Sequence, residues 1–477
     1  MNVIIDFLHH SASINSDKIA LVDLKGKLSF GELSDAVSQF SAGLSRYPQN
    51  SVISILFENS AEFVISYLGI LEAGCIAHLI SPTVAESNLH EQIRSAGPKL
   101  IIYSKSLQEK IDKVPHEKAE FDAVSRKDGS AESRKVVPSS TAYLIYTSGT
   151  TSTPKGVPVS HSNAVFTTKN IVGVLGYNSS DVDVLPLPLS HSFGLGCLHT
   201  SLFVGSTLVL HKNTLNVNEI FDSVRKYSAT TFAAVPATLT KLLRDNQEEV
   251  KKYFENLRLI ITNSTPIPPE TVNGFKKILK NGIIATYYGL TEASRSTFMI
   301  FDKTGKEESV GKTAPHVQIK IVNKNNRSSE PGEILIKGEN VIKNYWNNPD
   351  ADRNINDGWL NTGDVGYFDE DGFLYLTGRT DDIINVAGEK VAPNEVESVV
   401  KLLSGVEEAV AIGVSHSIFG QVVKLYVQKS KESKIEKRDV MAHCIKNLER
   451  YKVPLAIEFV DSFPRTDYGK IKRFMLR

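Results

Sequence analysis

The sequence predicts an α/β protein with a large N-terminal domain, residues 1–378, and a small α+β C-terminal domain, residues 379–477. Three observations support this prediction. The chain of 477 residues exceeds the ~250–300 residues at which single hydrophobic cores stop growing. Short β-branched runs alternate with longer amphipathic segments up to about residue 300, as is typical of α/β folds. Beyond that point the pattern changes to short strands with glycine turns, and then to a β/α alternation.

The first part of the chain supplies the strand and helix signals of the large domain. A buried strand is predicted at Ser51–Phe57, followed by an amphipathic helix at Ala61–Ala73. Most predicted strands end in glycine, serine or proline turns, and open α/β sheets usually bind ligands where their strands end. The polar segment 104–140 has weak periodicity and is interpreted as a surface excursion. Further strands are predicted at Lys99–Tyr103, Ala142–Tyr146, Thr207–Leu210, Thr231–Val235, Leu257–Thr262 and Ile283–Tyr287.

Short strands and glycine turns between residues 315 and 378 predict a small antiparallel barrel or sheet. Its strands are expected at Gln318–Val322, at Gly332–Lys337 and within 366–376. A charged turn, Arg379–Asp382, then opens the α+β domain. The elements predicted there are a helix at Pro393–Leu403, strands at Val406–Val414 and Val422–Gln428, a helix at Lys437–Leu448 and a strand at Ile457–Val460.

Charge and cysteine content exclude several classes of function. Lys and Arg number 54 and Asp and Glu number 54, so no basic surface for nucleic acid or an anionic membrane is predicted. Cys75, Cys197 and Cys444 are far apart and have neither disulfide nor metal-ligand spacing. The N-terminus lacks the basic start of a signal peptide, and no apolar run reaches the ~18 residues of a membrane span. We therefore expect a cytoplasmic protein with no membrane span and no nucleic-acid partner.

A hydroxyl-rich loop follows the strand predicted at Ala142–Tyr146. Between Thr147 and Thr153 the chain carries six hydroxyl side chains and one glycine, and Lys155 follows Pro154. Hydroxyls and backbone N–H groups can hold phosphate oxygens while a lysine supplies positive charge. The loop is not a Walker A sequence, because the Gly-Lys-Ser/Thr order is absent. Taken alone, this composition fits a phosphate-binding loop and a Ser/Thr-rich surface turn about equally well.

Five segments resemble the motifs of the adenylate-forming superfamily and follow its order. This superfamily includes acyl-CoA synthetases, adenylation domains that load carrier proteins, and beetle-type luciferases. The resemblance covers essentially the whole chain, and the five segments together identify the chain as a member of the superfamily. The segments are Tyr146–Val157, Tyr288–Glu292, Trp359–Asp364, Gly378–Glu397 and Pro464–Arg473.

The resemblance implies a fold and a reaction. The implied fold is a large N-terminal domain of two α/β subdomains plus a small antiparallel β-barrel-like subdomain, followed by a small mobile α+β C-terminal domain. In the reaction a carboxylate attacks the α-phosphorus of ATP, pyrophosphate leaves, and a thiol then takes the acyl group from the acyl-adenylate. Charge must be neutralised on both sides of that phosphorus. The implied cofactors are ATP and magnesium, with CoA or a carrier-protein phosphopantetheine as co-substrate.

The resemblance also assigns roles to residues of the large domain. Glu292 is expected to bind magnesium, because a carboxylate together with phosphate oxygens is a usual magnesium arrangement. Thr291 is expected to touch the α-phosphate. Tyr288, followed by Gly289 in the same motif, would stack on adenine, and Asp364 would accept hydrogen bonds from the ribose hydroxyls. The residues expected to hold the β- and γ-phosphates are Thr147, Ser148, Gly149, Thr150, Thr151 and Lys155.

Four residues of the C-terminal domain receive roles from the same resemblance. Arg379 would contact the ribose or a phosphate. Asp381 would be the hinge about which the small domain rotates after adenylation. Gly388 would then reach the active site and let a pantetheine thiol pass close to the backbone. Lys470 would be the catalytic lysine that bridges the substrate carboxylate and the α-phosphate during adenylation.

The chain departs from the superfamily pattern at two places near the nucleotide. Ser152 replaces a common glycine in the phosphate loop, which should be tolerated if its φ is negative. The segment Ile261–Ile267 carries polar side chains where relatives have a small Gly/Ala-rich run against the adenine. The adenine contacts of that segment are therefore left open.

The segment Pro186–Gly196 bears on the identity of the acid. Amino-acid-activating relatives place an aspartate here to pair with the substrate ammonium, since a buried cation without a partner is costly. This chain has none, so we expect a carboxylic acid without an α-amino group. His191 is counted with the catalytic residues as a gate to the pocket, or is a satisfied histidine beside it, and Arg295 could pair with a second carboxylate of the substrate. The other residues expected to line the acyl pocket are Phe193, Phe232, Ala234 and Thr265.

Three hypotheses for the function follow. The first and favoured one is an acid–CoA ligase, which acts on a small-molecule carboxylic acid and forms a carbon–sulfur bond. The second is a stand-alone enzyme that shares the adenylation step and loads the acyl group onto the phosphopantetheine of an acyl carrier protein. The third is a nucleotide-binding pseudoenzyme, which is opposed by the joint presence of Lys155, Glu292, Asp364 and Lys470.

Overall fold

The computed structural model describes residues 1–125, 134–147, 154–212, 216–302, 305–323, 325, 327–386, 389–416, 419–465 and 471–476. The chain divides into two compact units. The first comprises Met1–Gln318 and Ile336–Leu360, and the second comprises Ile319–Leu335 and Asn361–Arg477. The boundary predicted after Gly378 and the rotation of the domain beyond it stay predictions.

Nine strands of the described chain form one sheet of the first unit. They are β1 (Ile19–Val22), β2 (Lys27–Ser29), β9 (Val182–Leu185), β10 (Thr207–Leu210), β11 (Thr231–Ala233), β12 (Leu259–Thr262), β13 (Ile283–Leu290), β14 (Ala293–Ile300) and β15 (Lys312–Thr313). Their order is β15-β14-β13-β12-β11-β9-β10-β1-β2. The run from β1 to β13 is parallel, and the pairs at both ends are antiparallel. Every residue of β11 and β12 is buried, as expected for parallel strands covered on both faces.

A second sheet of the first unit contains six strands within the described ranges. They are β3 (Val52–Leu56), β4 (Ile76–Ile80), β5 (Leu100–Tyr103), β6 (Lys118–Glu120), β7 (Thr141–Thr147) and β8 (Lys155–Ser160). Their order is β6-β5-β3-β4-β7-β8. The β7–β8 pair is antiparallel and the other pairs are parallel. These two sheets confirm the α/β fold predicted from the alternating apolar runs.

Helices pack against both sheets of the first unit. α6 (His161–Leu175) begins after Ser160, whose side chain accepts a hydrogen bond from the Asn163 backbone in a capping box. α7 (Ser192–Val204) positions residues discussed below. α7 is buried from Phe193 to Leu202, which includes the polar residues His199, Thr200 and Ser201. The helices of this unit are α1 (Ile5–Ile14), α2 (Phe30–Gly43), α3 (Ala61–Glu72), α4 (Glu86–Ala96), α5 (Phe121–Val124), α6 (His161–Leu175), α7 (Ser192–Val204), α8 (Val217–Lys226), α9 (Pro236–Asp245), α10 (Gln247–Phe254), α11 (Pro269–Ile278) and α12 (Pro349–Asp352).

Five described strands form a sheet in the region where a small antiparallel barrel or sheet is predicted, and two of its strand pairs are antiparallel. They are β16 (Gln318–Val322), β17 (Gly332–Lys337), β18 (Ile355–Asn356), β19 (Trp359–Phe368) and β20 (Leu374–Arg379). The order is β16-β17-β19-β18, and β20 also pairs with β19. The chain passes from one compact unit to the other within these strands.

The rest of the second unit is the predicted α+β arrangement. Five described strands, in the order β22-β21-β24-β23 with β25 on β24, form its sheet: β21 (Ile384–Val386), β22 (Glu389–Val391), β23 (Val406–His416), β24 (Gly420–Lys429) and β25 (Ala456–Val460). Two helices, α13 (Pro393–Lys401) and α14 (Lys437–Asn447), cover it. Val396 and Val400 of α13 and Val440 and Cys444 of α14 pack with Leu425 of β24 in one core.

The prediction that segment 104–140 is only a surface excursion is wrong in part. Lys118–Glu120 is the edge strand β6, which pairs in parallel with β5. Ile111 and Val114 are buried and pack in a cluster with Leu56. The error has a simple physical reason: two isolated apolar residues in a charged segment produce no periodicity, and an edge strand of three residues needs no apolar run.

Candidate active site

The predicted phosphate loop joins two antiparallel strands. β7 ends at Thr147 and β8 begins at Lys155, and these two residues are paired across the ladder. Tyr146 and Gly156 form the next pair. The strand pairing therefore closes the loop at its base and holds Lys155 beside its first residue. The remaining loop residues singled out from the sequence lie outside the described residues: Ser148, Gly149, Thr150, Thr151 and Ser152.

Lys155 and Glu292 are linked by the side chain of Tyr345. The Nζ of Lys155 lies 6.0 Å from the centroid of the Tyr345 ring, at the outer limit of a cation–π contact. The Tyr345 hydroxyl donates a hydrogen bond of 3.1 Å to Oε1 of Glu292. Tyr345 is 6% exposed and Glu292 is 9% exposed. The contact between them is therefore shielded from water. Charge interactions are stronger in such a buried place than at the protein surface.

The segment that carries Tyr345 is attached to β8. The backbone N–H of Trp346 donates to the carbonyl of Gly156 at 2.9 Å, and the two residues form an antiparallel bridge. A Cβ on Gly156 would lie 3.0 Å from the Cβ of Trp346 and 3.0 Å from Cζ of Tyr146. A side chain at this position would be tightly packed, so glycine eases the approach of the two backbones. On its other side, the Tyr345 N–H donates to Oδ1 of Asp352 at 2.6 Å.

Thr291 and Glu292 form the tip of the β13–β14 hairpin. Leu290 pairs with Ala293, so these two residues alone connect the strands. A Cβ on Gly289 would lie 2.5 Å from the backbone nitrogen of Arg295, so this position of the motif also needs glycine. The hairpin thus presents a hydroxyl and a carboxylate side by side.

The residues expected near the adenine lie in β13 and in the segment that follows β12. Tyr288 is buried and lies opposite Thr297, whose Oγ1 accepts a 3.3 Å hydrogen bond from the Tyr288 N–H. Ser264, in the polar segment after β12, has a φ of +95°. This left-handed conformation favours glycine, so a small residue suits this position. The stacking role of Tyr288 stays a prediction.

In the second unit, Asp364 and Arg379 face each other across β19 and β20. Nη1 of Arg379 donates to Oδ1 of Asp364 at 2.7 Å, and Nη2 donates to the carbonyl of Thr362 at 3.3 Å. Gly363 has a φ of +70°, and a Cβ there would lie 2.8 Å from Nη2 of Arg379. The Thr-Gly-Asp turn is therefore shaped to receive the guanidinium.

The other predicted residues of the C-terminal domain are only partly described. Asp381 lies in a short 3-10 turn, Thr380–Asp382, directly after β20, and only its backbone is described. Gly388 and Lys470 lie outside the described residues.

Two of the residues predicted to line the acyl pocket meet at Tyr287. The edge of the Phe193 ring packs on Tyr287 with ring centroids 5.5 Å apart, and Cζ of Arg295 lies 4.6 Å from the Tyr287 centroid. Phe232 has different surroundings: it is fully buried and packs against Phe254 of α10, with centroids 5.0 Å apart. The structure therefore brings Phe193 and Arg295 together and places Phe232 in an aromatic core cluster.

The three remaining acyl-pocket candidates lie at the ends of other elements. His191 is the residue before α7, and its carbonyl accepts the N–H of Leu195 at 2.8 Å. Although part of His191 is exposed, the atoms packed around its ring remove water and lower its pKa to about 3, so the imidazole is neutral at pH 7. Ala234 is buried directly after β11, and Thr265 is half-buried after β12.

The family model described as AMP-binding enzyme matches residues 8–346. The chain belongs to this family. The model described as AMP-binding enzyme C-terminal domain matches residues 395–470. The family and its CoA-ligase members identify the protein as an AMP-forming acid–thiol ligase of the acyl-CoA synthetase type, which confirms the resemblance drawn from the five motifs.

Relatives of this AMP-binding enzyme match it over nearly their whole length. An oxalate–CoA ligase of Arabidopsis thaliana is 32% identical over 96% of this chain and 94% of its own length. A 2-succinylbenzoate–CoA ligase of Bacillus subtilis (strain 168) is 29% identical over 99% and 97%. ATP-bound MatB from Rhodopseudomonas palustris superposes with a TM-score of 0.92 at 26% identity, covering 100% of this chain and 98% of its own. The o-succinylbenzoate CoA synthetase of Bacillus subtilis with ATP and magnesium gives 0.87 at 28% identity, covering 98% of each chain.

Two tyrosines of this AMP-binding enzyme's site were missed by reasoning from the sequence. Tyr345 contacts both Lys155 and Glu292, and Tyr287 receives Phe193 and Arg295. An isolated tyrosine in a sequence is more often part of the core, so neither stood out. Tyr287 does directly precede a recognised motif, and that proximity is a signal that could have been used.

The helices of the described ranges include none with the length and hydropathy of a membrane-spanning segment.

Proposed function

We propose that this enzyme binds ATP with magnesium beside Lys155 and Glu292, activates a carboxylic acid without an α-amino group, and transfers the acyl group to CoA. The observation that carries the proposal is the contact of Tyr345 with both residues. It keeps a cation for phosphates and a carboxylate for a metal near one buried aromatic ring. That pairing suits a nucleotide triphosphate, whose oxygens need both kinds of neutralisation.

The first half-reaction makes the acyl-adenylate. An oxygen of the substrate carboxylate attacks the α-phosphorus, and the bond from that phosphorus to pyrophosphate breaks. Negative charge grows on the departing phosphates, where Lys155 supplies a positive charge at the base of the phosphate loop. The Thr291 hydroxyl is proposed to donate to an α-phosphate oxygen from the hairpin tip.

Glu292 is the residue proposed to hold magnesium. Magnesium in nucleotide sites is commonly held by one or two carboxylates together with substrate phosphates and water, and it supplies neutralisation of phosphate charge there. In the described part of the chain, no group of three or more His, Cys, Asp and Glu side chains converges as a metal cage. Glu292 fits the single-carboxylate arrangement, and its hydrogen bond from Tyr345 fixes the orientation of the carboxylate.

Asp364 is proposed to contact the ribose of the nucleotide, and Arg379 is proposed to contact the ribose or a phosphate. An ionised Asp can accept hydrogen bonds from two hydroxyls, and the 2.7 Å hydrogen bond from Arg379 supports the ionised form at neutral pH. Lys470 as the adenylation lysine, Asp381 as the hinge of domain 379–477, and Gly388 as the thiol passage are proposals that rest on the superfamily resemblance.

The second half-reaction is proposed to use CoA. The CoA thiol attacks the acyl carbonyl, its proton leaves, and AMP departs with the electrons of the broken carbon–oxygen bond. Relatives named as CoA ligases support CoA over a carrier protein as acceptor. Those names include oxalate, 2-succinylbenzoate and long-chain fatty acids, so the family leaves the acid open. The lack of an aspartate in Pro186–Gly196 supports an acid without an ammonium group.

The test is acid-dependent exchange of pyrophosphate into ATP over a broad acid panel, followed by thioester formation with CoA and with loaded acyl carrier proteins. We expect exchange with one class of acid, loss of exchange in Lys155→Ala, and thioester formation with CoA. A matched control is Lys212→Ala, because Lys212 is an exposed lysine that pairs with Glu58 at 2.7 Å. No exchange with any acid would refute the proposed activity, and thioester formed only on carrier proteins would refute CoA as acceptor.

A further inference from the structure

Arg295 is a buried cation with an unusual backbone. It follows the Thr291–Glu292 hairpin tip by three residues, is 4% exposed and has a φ of +54°. Left-handed backbone is uncommon for residues other than glycine, and strained positions concentrate at functional sites. The strained backbone and the burial together indicate that the guanidinium has a specific role at this position.

The described contacts of the guanidinium involve neutral groups throughout. Nη1 and Nη2 each donate to the carbonyl of Ser192 at 3.2 Å, Nη2 donates to the carbonyl of Phe193 at 3.3 Å, and Nη1 donates to Oγ of Ser294 at 2.7 Å. The Tyr287 ring covers one face. Nε is buried without a hydrogen-bond partner. Among the described residues, no carboxylate lies within ion-pair distance of Arg295.

The tyrosine, cysteine and histidine side chains whose electrostatics involve Arg295 do not supply a negative charge either. Burial raises the pKa of the Tyr143 and Tyr287 hydroxyls and of the Cys197 thiol, so all three stay protonated at neutral pH. Burial also lowers the pKa of His199 to about 3, which leaves that ring neutral. A guanidinium in such surroundings is costly unless an anion pairs with it.

The same guanidinium faces a small cavity that reaches the adenylation hairpin. The cavity measures about 20 Å³ and is lined by Arg295, Thr291, Ser192, Gly196, Ser294 and Asn340 among others. A Cβ on Gly196 would lie 2.1 Å from Nη2 of Arg295. The glycine in α7 therefore leaves the space that the guanidinium of Arg295 occupies. Arg295 and the predicted α-phosphate contact Thr291 therefore border one polar space.

We propose that Arg295 recognises a second anionic group on the acid substrate, so that the preferred substrates are dicarboxylic acids. This inference rests on the proposed adenylation activity and goes beyond it by naming the substrate class. One carboxylate of the acid is activated, and the other accepts a charge-assisted hydrogen bond from Nε, the N–H of the guanidinium that has no partner. The cavity of about 20 Å³ has room for about one water molecule, so binding of that carboxylate requires the side chains around the cavity to move, and Nε then gains the partner it lacks.

The alternative is a purely structural arginine that ties β14 to the first turn of α7. Both readings predict that loss of Arg295 destabilises the fold, so stability does not separate them. They differ in selectivity. A structural arginine affects all acids alike, whereas a recognition arginine affects acids that carry the second charge.

The test compares straight-chain dicarboxylic acids of three to six carbons with their monomethyl esters in pyrophosphate exchange. For the wild-type enzyme we expect kcat/KM for at least one diacid to exceed that for its ester tenfold or more. Arg295→Gln should reduce this ratio to near one by lowering the diacid value, and Arg295→Lys should retain part of it. Arg258→Gln is the matched control, since Arg258 is a second guanidinium that pairs with Asp181 at 2.6 Å, and the ratio should survive there.

Two outcomes would overturn the inference. One is a wild-type enzyme that activates monocarboxylic acids without preferring any diacid over its ester, a result that needs no variant and leaves the proposed activity intact. The other is an Arg295→Gln enzyme that keeps the wild-type ratio. Absence of exchange with every acid would instead refute the activity on which the inference rests.

Discussion

The hydroxyl of Tyr345 donates a hydrogen bond of 3.1 Å to Oε1 of Glu292, and the ring of the same tyrosine lies 6.0 Å from the Nζ of Lys155. These contacts link the residue proposed to bind magnesium to the residue proposed to bind phosphate. Tyr345 itself need not touch the nucleotide for this to matter. It orients the carboxylate and offers the face of its ring to the ammonium group.

Tyr345→Phe should therefore weaken adenylation and change its dependence on magnesium. A hydrogen bond to a charged group contributes about 1.5–3 kcal/mol, so kcat/KM in pyrophosphate exchange should fall roughly 10- to 100-fold. The magnesium concentration at half-maximal rate should rise. Tyr375→Phe is the control, because Tyr375 also donates to a carboxylate, that of Asp369 at 3.4 Å, and no site role is proposed for it. A Tyr345→Phe enzyme with an unchanged magnesium curve would contradict the positioning role.

Arg379→Ala should raise the KM for ATP more than the KM for the acid. The substitution removes the cation that holds Asp364 at 2.7 Å, so the proposed ribose acceptor loses its orientation. We expect an increase of about tenfold in the KM for ATP, since one charged hydrogen bond is lost. Arg327→Ala is the control, because Arg327 forms an exposed ion pair with Glu330 at 3.4 Å. Equal increases for ATP and acid would argue against a nucleotide role.

Lys470→Ala should separate the two half-reactions. If Lys470 bridges the carboxylate and the α-phosphate, adenylation loses the cation that stabilises its transition state, and a fall of 10²-fold or more is expected. Thioester formation from preformed acyl-adenylate and CoA should stay near the wild-type rate, because that step does not need the bridge. Single-turnover measurements of each step provide the check. Equal loss in both steps would contradict the assigned role.

The free energy of unfolding should fall as pH drops from about 6.5. Burial lowers the pKa of His78, His191 and His199 to about 3 each. Between the unfolded pKa of about 6.5 and the folded pKa, each of these histidines is protonated in the unfolded chain and neutral in the folded protein. Each therefore lowers the free energy of unfolding by about 1.4 kcal/mol for every pH unit that the pH falls within this range. Burial raises the pKa of Asp183 to about 6, and this group opposes the trend between about pH 6 and 4, because its folded form binds the extra proton.

Urea unfolding at pH 7, 6 and 5 measures this slope. His78→Gln should make it shallower by up to about 1.4 kcal/mol per pH unit, even if the variant is less stable at pH 7. His10→Gln is the control, because His10 lies exposed on α1 and its replacement should leave the slope unchanged. A slope that is the same in wild type and His78→Gln would show that this ring is not kept neutral by the fold.

Much of the fold could be predicted from local pattern, and the failures have a common cause. β10, β12 and β25 coincide with their predicted runs to within two residues, because apolar β-branched runs end at strong turn residues. The edge strand Lys118–Glu120 was missed because an edge strand can be polar on both faces. Order within the sheets depends on contacts between distant segments, which no window of sequence contains.

The site residues also divide into those that local sequence indicates and those that only the fold reveals. Lys155 and Glu292 could be selected because each lies in a segment with a recognisable motif. Tyr345 could not, since it is 53 residues from Glu292 and its role arises only when the fold brings the two together. Arg295 was marked by its chemistry in the sequence, but its lack of an acidic partner among the described residues is a fact of packing.

The close approach of Gly156 to Trp346 has a consequence for the base of the phosphate loop. The strand ladder pairs Lys155 with Thr147, and the neighbouring bridge joins Gly156 to Trp346, so the backbone that carries the lysine is joined to the segment that carries Tyr345. Gly156 is where the two backbones meet. A methyl group there would lie 3.0 Å from the Cβ of Trp346, so Gly156→Ala requires residues on one side of this bridge to shift by a few tenths of an ångström, and that shift would reach the segment that orients Glu292 without altering Lys155 or Glu292.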